Sequence, residues 1–164
     1  MCIRDSTWYF EDSVLVRQGG PRLDALNGDV IGSGTGGGQP RHVLEAQAGY
    51  TNNGFGVRAS GNYQTSTTVN GTSLGATAGD TSTLNFGSLA TLDLRLFADL
   101  SQQLHYVVKH RWARGVRITL GVTNLFDTRQ QVTDATGTTP VSFQPDYLNP
   151  LGRTVRLSIR KLLF

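Results

Sequence analysis

The sequence predicts an all-β fold: an antiparallel up-and-down meander of about six strands, forming a partial arc of a membrane β-barrel. Three observations carry this. Apolar and polar residues alternate with period two along most of the chain, and no segment shows a helical period. Long polar loops alternate with shorter connections, as the outer loops and inner turns of an outer-membrane barrel do. The strands number about six, fewer than the roughly eight a barrel needs to close around its own side chains.

The first candidate strand, Thr7 to Arg17, places Trp8, Phe10, Val14 and Val16 on one parity, with Asp12 breaking the face. Arg41 to Tyr50 sets Leu44, Ala46, Ala48 and Tyr50 against Glu45 and Gln47. Thr51-Asn52-Asn53-Gly54 follows, and Asn-Gly accommodates the positive φ angles of a primed hairpin turn. Phe55 to Thr65 returns with Phe55, Val57, Ala59 and Tyr63 on one side and Arg58, Ser60, Asn62 and Gln64 on the other. Leu89 to Leu100 carries Ala90, Leu92, Leu94, Leu96, Ala98 and Leu100 against Thr91, Asp93, Arg95 and Asp99, with Phe97 out of pattern. Val116 to Phe126 sets Val116, Ile118, Leu120 and Val122 against Arg117, Thr119, Gly121 and Thr123. Arg153 to Leu163 sets Val155, Leu157 and Ile159 against Thr154, Arg156, Ser158 and Arg160.

Gly19 to Pro40, Ser66 to Ser88 and Asp127 to Gly152 read as long structureless loops rich in Gly, Thr, Asp and Pro. A compact soluble domain rarely carries three such loops. Leu104 to Gly115 is shorter and basic, with His105, Lys109, His110, Arg111 and Arg114.

Composition narrows the classes further. Of 164 residues 38% are hydrophobic, and no run approaches the roughly 18 apolar residues of a membrane helix. A membrane β-strand stays open, because only alternate residues face lipid. The formal charge is +3, and its arginines are scattered along strands rather than clustered, so no nucleic-acid partner is expected. A single cysteine, Cys2, excludes a disulfide framework and a cysteine-based metal site. Met1 to Ser6 lacks the apolar core of a signal peptide and resembles a translated sequencing-adapter tail. Residues 1–6 are therefore expected to be non-native, and residues 7–164 to be a barrel segment whose earlier strands lie upstream.

Alternation alone does not separate a lipid-facing strand from one in a soluble sandwich. Strand length does bear on it, since roughly ten residues match a tilted membrane strand. Aromatics gather at strand ends (Trp8, Tyr9, Phe10, Tyr50, Phe55, Phe126, Phe164), where interfacial girdles sit. The polar parity also carries full charges in mid-strand, which a water-filled or plugged lumen solvates.

Two elements at the chain end add a family resemblance. These are Val122-Thr123-Asn124-Leu125-Phe126-Asp127, and Gly152-Arg153-Thr154-Val155-Arg156-Leu157-Ser158-Ile159-Arg160-Lys161 ending in Phe164. In composition, order and position this stretch resembles the closing segment of TonB-dependent outer-membrane receptors. The resemblance implies an arc of a barrel of about 22 strands with an N-terminal plug. It also implies a Gram-negative outer-membrane location, a small ligand such as a ferric siderophore, and energy relayed by TonB to the part of the protein that precedes this chain. Asn124 and Asp127 would bond backbone where the strand turns into its loop. Phe126 would sit in the outer girdle, and Gly152 would permit the bend before Arg153. Phe164 would anchor at the periplasmic interface, although it falls one residue out of phase with Ile159.

Arg58, Arg95, Arg117, Arg156 and Arg160 share the polar parity and would line the lumen wall. There they would either face an anionic chelate or pair with Asp93, Asp99, Glu45 or plug carboxylates. Other motifs fail on context. Gly32-Ser33-Gly34-Thr35-Gly36-Gly37 spells a dinucleotide fingerprint, but Gln39-Pro40 follows it and no helix begins there. His105 and His110 lack a third metal ligand at useful spacing. Asn70-Gly71-Thr72 is a glycosylation acceptor only in a eukaryotic secretory setting. No catalytic constellation emerges, so neither an enzyme nor a cofactor is expected. The rival readings are an arc of an oligomeric outer-membrane barrel and a soluble β-sheet binding module.

Overall fold

The computed structural model describes residues 1–29, 37–71, 83–102, 108 and 110–162. They form an all-β, antiparallel structure built on one six-stranded sheet. Its strands are β1 (Cys2–Trp8), β4 (His42–Asn52), β5 (Phe55–Gln64), β8 (Leu89–Asp99), β9 (Val116–Thr123) and β11 (Thr154–Lys161). They lie side by side in chain order, each antiparallel to the next, which is the up-and-down meander expected.

Turn chemistry aligns the central hairpin. Asn53 and Gly54 take φ of 45° and 82°, and Asn52 pairs with Phe55 across them. The turn tucks against the end of β8, where the Asp99 amide donates to the Gly54 carbonyl at 2.7 Å. A side chain at Gly54 would meet the Asp99 carbonyl oxygen at 2.6 Å, so glycine is needed for space as well as for φ.

Register then carries the alternation across strands. Ala48, Ala59, Leu94, Val122 and Val155 form one transverse row, and Tyr50, Val57, Leu96, Leu120 and Leu157 the next. Directly paired residues point to the same face, so these rows make one continuous apolar surface. Nothing covers it among the described residues. Val155, Leu157 and Ile159 are 67%, 63% and 66% exposed, values no sandwich core would leave. The fully buried Val132 lies outside this sheet.

Three expectations are corrected. The first meander strand is Cys2–Trp8 rather than Thr7 to Arg17. Residues 2 to 8 pair along the His42–Ala48 part of the free edge of β4, from Cys2 with Ala48 to Trp8 with His42, and the chain leaves the sheet after Tyr9 bonds the Arg41 carbonyl. The strand thus includes most of the adapter-like tail. Second, Ser13–Leu15 (β2) instead forms a separate hairpin with Arg22–Asp24 (β3). Third, the long loops are not structureless. Thr67–Val69 (β6), Leu84–Phe86 (β7) and Val132–Asp134 (β10) build a three-stranded sheet in the order β10-β7-β6. Phe86 and Val132 are buried there, and Phe143 meets the Phe86 ring edge-on at 5.9 Å.

Loops are also tied to one another. The Asn70 amide donates to the Gly28 carbonyl at 2.8 Å, and the Gly87 amide to that of Gln131 at 2.8 Å. All three long connections leave from the same end of the meander, and the Asn53-Gly54 turn lies at the other. Pro145–Leu148 is a single helical turn, and no described helix is long and apolar enough to cross a membrane.

Candidate functional site

Two arrangements gather residues that the sequence singles out. The first is a hydrogen-bonded knot where β9 ends and β11 begins. Asn124 is 4% exposed and takes φ of 53°, the left-handed region that Asn enters more readily than most residues. Its amide donates to the Asp93 carboxylate at 2.8 Å, and its side-chain NH2 donates to the Thr128 carbonyl at 2.7 Å. Its side-chain oxygen accepts from the Thr128 amide at 3.0 Å. The Leu125 amide then reaches the Leu92 carbonyl at 2.7 Å, one residue later than the β8–β9 register requires. An extra residue is thus taken up at Asn124, as at a β-bulge.

Asp127, also at positive φ (55°), accepts the Arg153 amide at 2.8 Å, and the Arg153 guanidinium reaches the Leu125 carbonyl at 3.4 Å. Gly152 lies against the Asp127 carboxylate with φ of 52°, leaving no room for a side chain. The Asn-Leu-Phe-Asp and Gly-Arg elements, 26 residues apart, therefore meet directly. Arg129 braces them, pairing with Asp127 at 3.7 Å and with Asp146. Phe126 projects outward at the loop end of the sheet, 70% exposed. Phe164 lies outside the described residues.

The second arrangement is the polar face. Register places Arg58 directly opposite Arg95, and Arg95 and Arg156 on either side of Gly121. Arg117 and Arg160 pair two rows further towards the turn end, beyond Phe97 and Thr119 and beside Asp99. All five arginines thus share one face. Only Arg117 has a carboxylate partner among the described residues, Asp99 at 3.0 Å. Asp93 is committed to the Asn124 amide, and Asp5 and Glu45 face each other at the far edge, on β1 and β4.

Sequence reasoning missed three participants. Thr128 bonds both Asn124 and the Ala90 carbonyl, the latter at 2.6 Å from its hydroxyl. Asp93 acts as the acceptor of the bulge, and Gly121 as the gap between arginines. Asp93 and Gly121 left a trace as members of the polar parity, Asp93 as a possible arginine partner rather than the acceptor of a bulge, and Thr128 left none. Among the decoys, Asn70 ties loops together through Asn27 and Asp29. Residues 32–36 and His105 lie outside the described residues, and no group that could hold a metal occurs among those described. Set beside known proteins, the chain matches no family model, no curated protein and no solved structure.

Proposed function

We propose that this chain is the closing arc of a TonB-dependent outer-membrane transporter, a barrel of about 22 strands that imports ferric siderophores or similarly scarce nutrients. One observation carries the reading. Among the described residues no second layer covers the six-stranded sheet apart from the buried Val116 at its turn end, and the sheet is apolar in successive rows on one face and charged on the other. A soluble sheet this size would cover its apolar face with a second layer. A membrane strand turns that face to lipid and its charges to the lumen. Among the described residues the outer edges of β1 and β11 are unpaired, and six strands do not close, so further strands of the same barrel complete the ladder. Long interlocked loops at one end and the tight turn at the other fit the outer and periplasmic rims. The converging Asn-Leu-Phe-Asp and Gly-Arg elements support the family resemblance. In this reading the chain performs no catalysis. The plug and the TonB contact belong to the part of the receptor that precedes it.

Lipid contact tests this directly. The protein expressed from its complete gene is reconstituted in bilayers with a fluorophore on single cysteines at 94, 120 or 157, and separately at 95, 119 or 156. Brominated acyl chains should quench the first set strongly and the second weakly. A monodisperse detergent-free monomer with no quenching at 94, 120 and 157 would overturn the barrel.

A further inference from the structure

The polar face holds an unresolved electrostatic problem. Arg58 and Arg95 are a directly opposed cross-strand pair, so their backbones are about 5 Å apart. Like charges so placed repel, and such a pair is unfavourable unless an anion lies between or above them. Arg156 joins the same row from the other side, two strands from Arg95. Gly121 between them projects nothing into the gap. The three guanidiniums make no hydrogen bond or ion pair among the described residues, whereas nearby Arg117 is neutralised by Asp99. Gln47, Ser60, Asp93 and Thr123 line the recess beside them. Asp93 is the one carboxylate there, and its bond to the Asn124 amide serves the bulge instead.

We propose that Arg58, Arg95 and Arg156 form an oxyanion site arched over Gly121, built to hold a carboxylate or phosphate group. Guanidinium forks match the two oxygens of such a group bidentately, and three on one row surround it more fully than one. Gly121 supplies the room a side chain would fill. Arg117 and Arg160 are excluded from the site, since the first is already paired and both stand two rows away, beyond Phe97 and Thr119. The oxyanion has two possible sources, a free small ligand or an acidic side chain of polypeptide lying on this face. The site stands on strand register, so it fails or survives separately from the barrel reading.

Guanidinium NMR on the protein from its complete gene, in detergent micelles and 15N-labelled at arginine, decides between them. Arg58→Lys, Arg95→Lys and Arg156→Lys assign the three Nε–Hε signals. Inorganic phosphate and citrate are the probes, at constant ionic strength. Signals already displaced downfield without any probe assign the oxyanion to a polypeptide carboxylate. Signals that move saturably on adding phosphate or citrate, with affinity falling about tenfold or more in Arg95→Gln but unchanged in Arg160→Gln, assign it to a free ligand. Undisplaced signals that no probe moves, or equal effects of Arg95→Gln and Arg160→Gln, would overturn the site.

Discussion

Phe97 lies across Gly56 on the polar face, its ring occupying the space a side chain at position 56 would need. The large apolar residue that interrupts the polar parity of β8 between Arg95 and Asp99 is therefore the cover of a glycine on β5. A cross-strand aromatic shields the exposed glycine backbone and fixes the pairing of its two strands. Gly56→Ala should destabilise the protein by about 1–3 kcal/mol in denaturant unfolding from micelles, through overpacking. Phe97→Ala should also destabilise it, and the double variant should lose less than the sum of the two. Strict additivity would mean that the two residues do not act as a unit.

Asn124 is the keystone of the loop end. Asn124→Ala removes three side-chain hydrogen bonds to Thr128 and leaves alanine at positive φ, so a loss of about 2–4 kcal/mol is expected. Asn124→Gly should recover the backbone part alone. Asp127→Ala should leave the meander intact while raising hydrogen exchange at the Arg153 amide, its hydrogen-bond donor. Unchanged exchange there would show that the bond does not hold β11 in place.

The small loop sheet should melt separately from the meander. Val132 is fully buried and Phe86 nearly so, and Phe86→Ala should cost that sheet about 3–5 kcal/mol. Limited proteolysis should then cut within residues 124–153 while cysteine labels on β8 and β9 keep their wild-type accessibility. Cleavage throughout the meander would tie the two sheets into one cooperative unit.

Arg4 stands on the apolar face, opposite Ala46. If that face meets lipid, Arg4→Leu should stabilise the bilayer-embedded form by up to about 2–4 kcal/mol at the midplane, and by less near an interface. The measurement is urea unfolding from vesicles. A destabilising Arg4→Leu would place this edge in water.

Asp134 gives a pH signature in the loop between β9 and β11. The Thr136 hydroxyl, helped by the Thr138 hydroxyl and both backbone amides, holds its carboxyl below the ordinary carboxylate value. A depressed folded pKa means that the contribution to the loop is complete above the unfolded value and is lost as pH falls through the folded one. NMR should show the Asp134 carboxyl titrating below 3.8, with protection of the Thr136 and Thr138 amides lost over the same range. Titration at or above 3.8 would contradict the arrangement.

Much of the meander is written in local pattern. Two-residue alternation marks Leu44 to Tyr50, Leu89 to Leu100 and Val155 to Ile159 as two-faced strands, because side chains on an extended backbone point alternately up and down whatever lies beside them. Asn53-Gly54 aligns its hairpin for a similarly local reason, the positive φ its two residues accept. The arginines were legible as members of one parity on the same basis. Tertiary structure decided which of them meet. Bringing Arg58 beside Arg95, and Arg156 across Gly121, depends on the offsets of three strand pairings separated by loops, which no local period encodes. The loop sheet was hidden for a related reason. Thr67–Val69, Leu84–Phe86 and Val132–Asp134 are too short to show a period, and they become strands only through one another's backbone hydrogen bonds. Likewise Cys2–Trp8 reads as a tail until the open edge of His42–Asn52 offers its residues a partner.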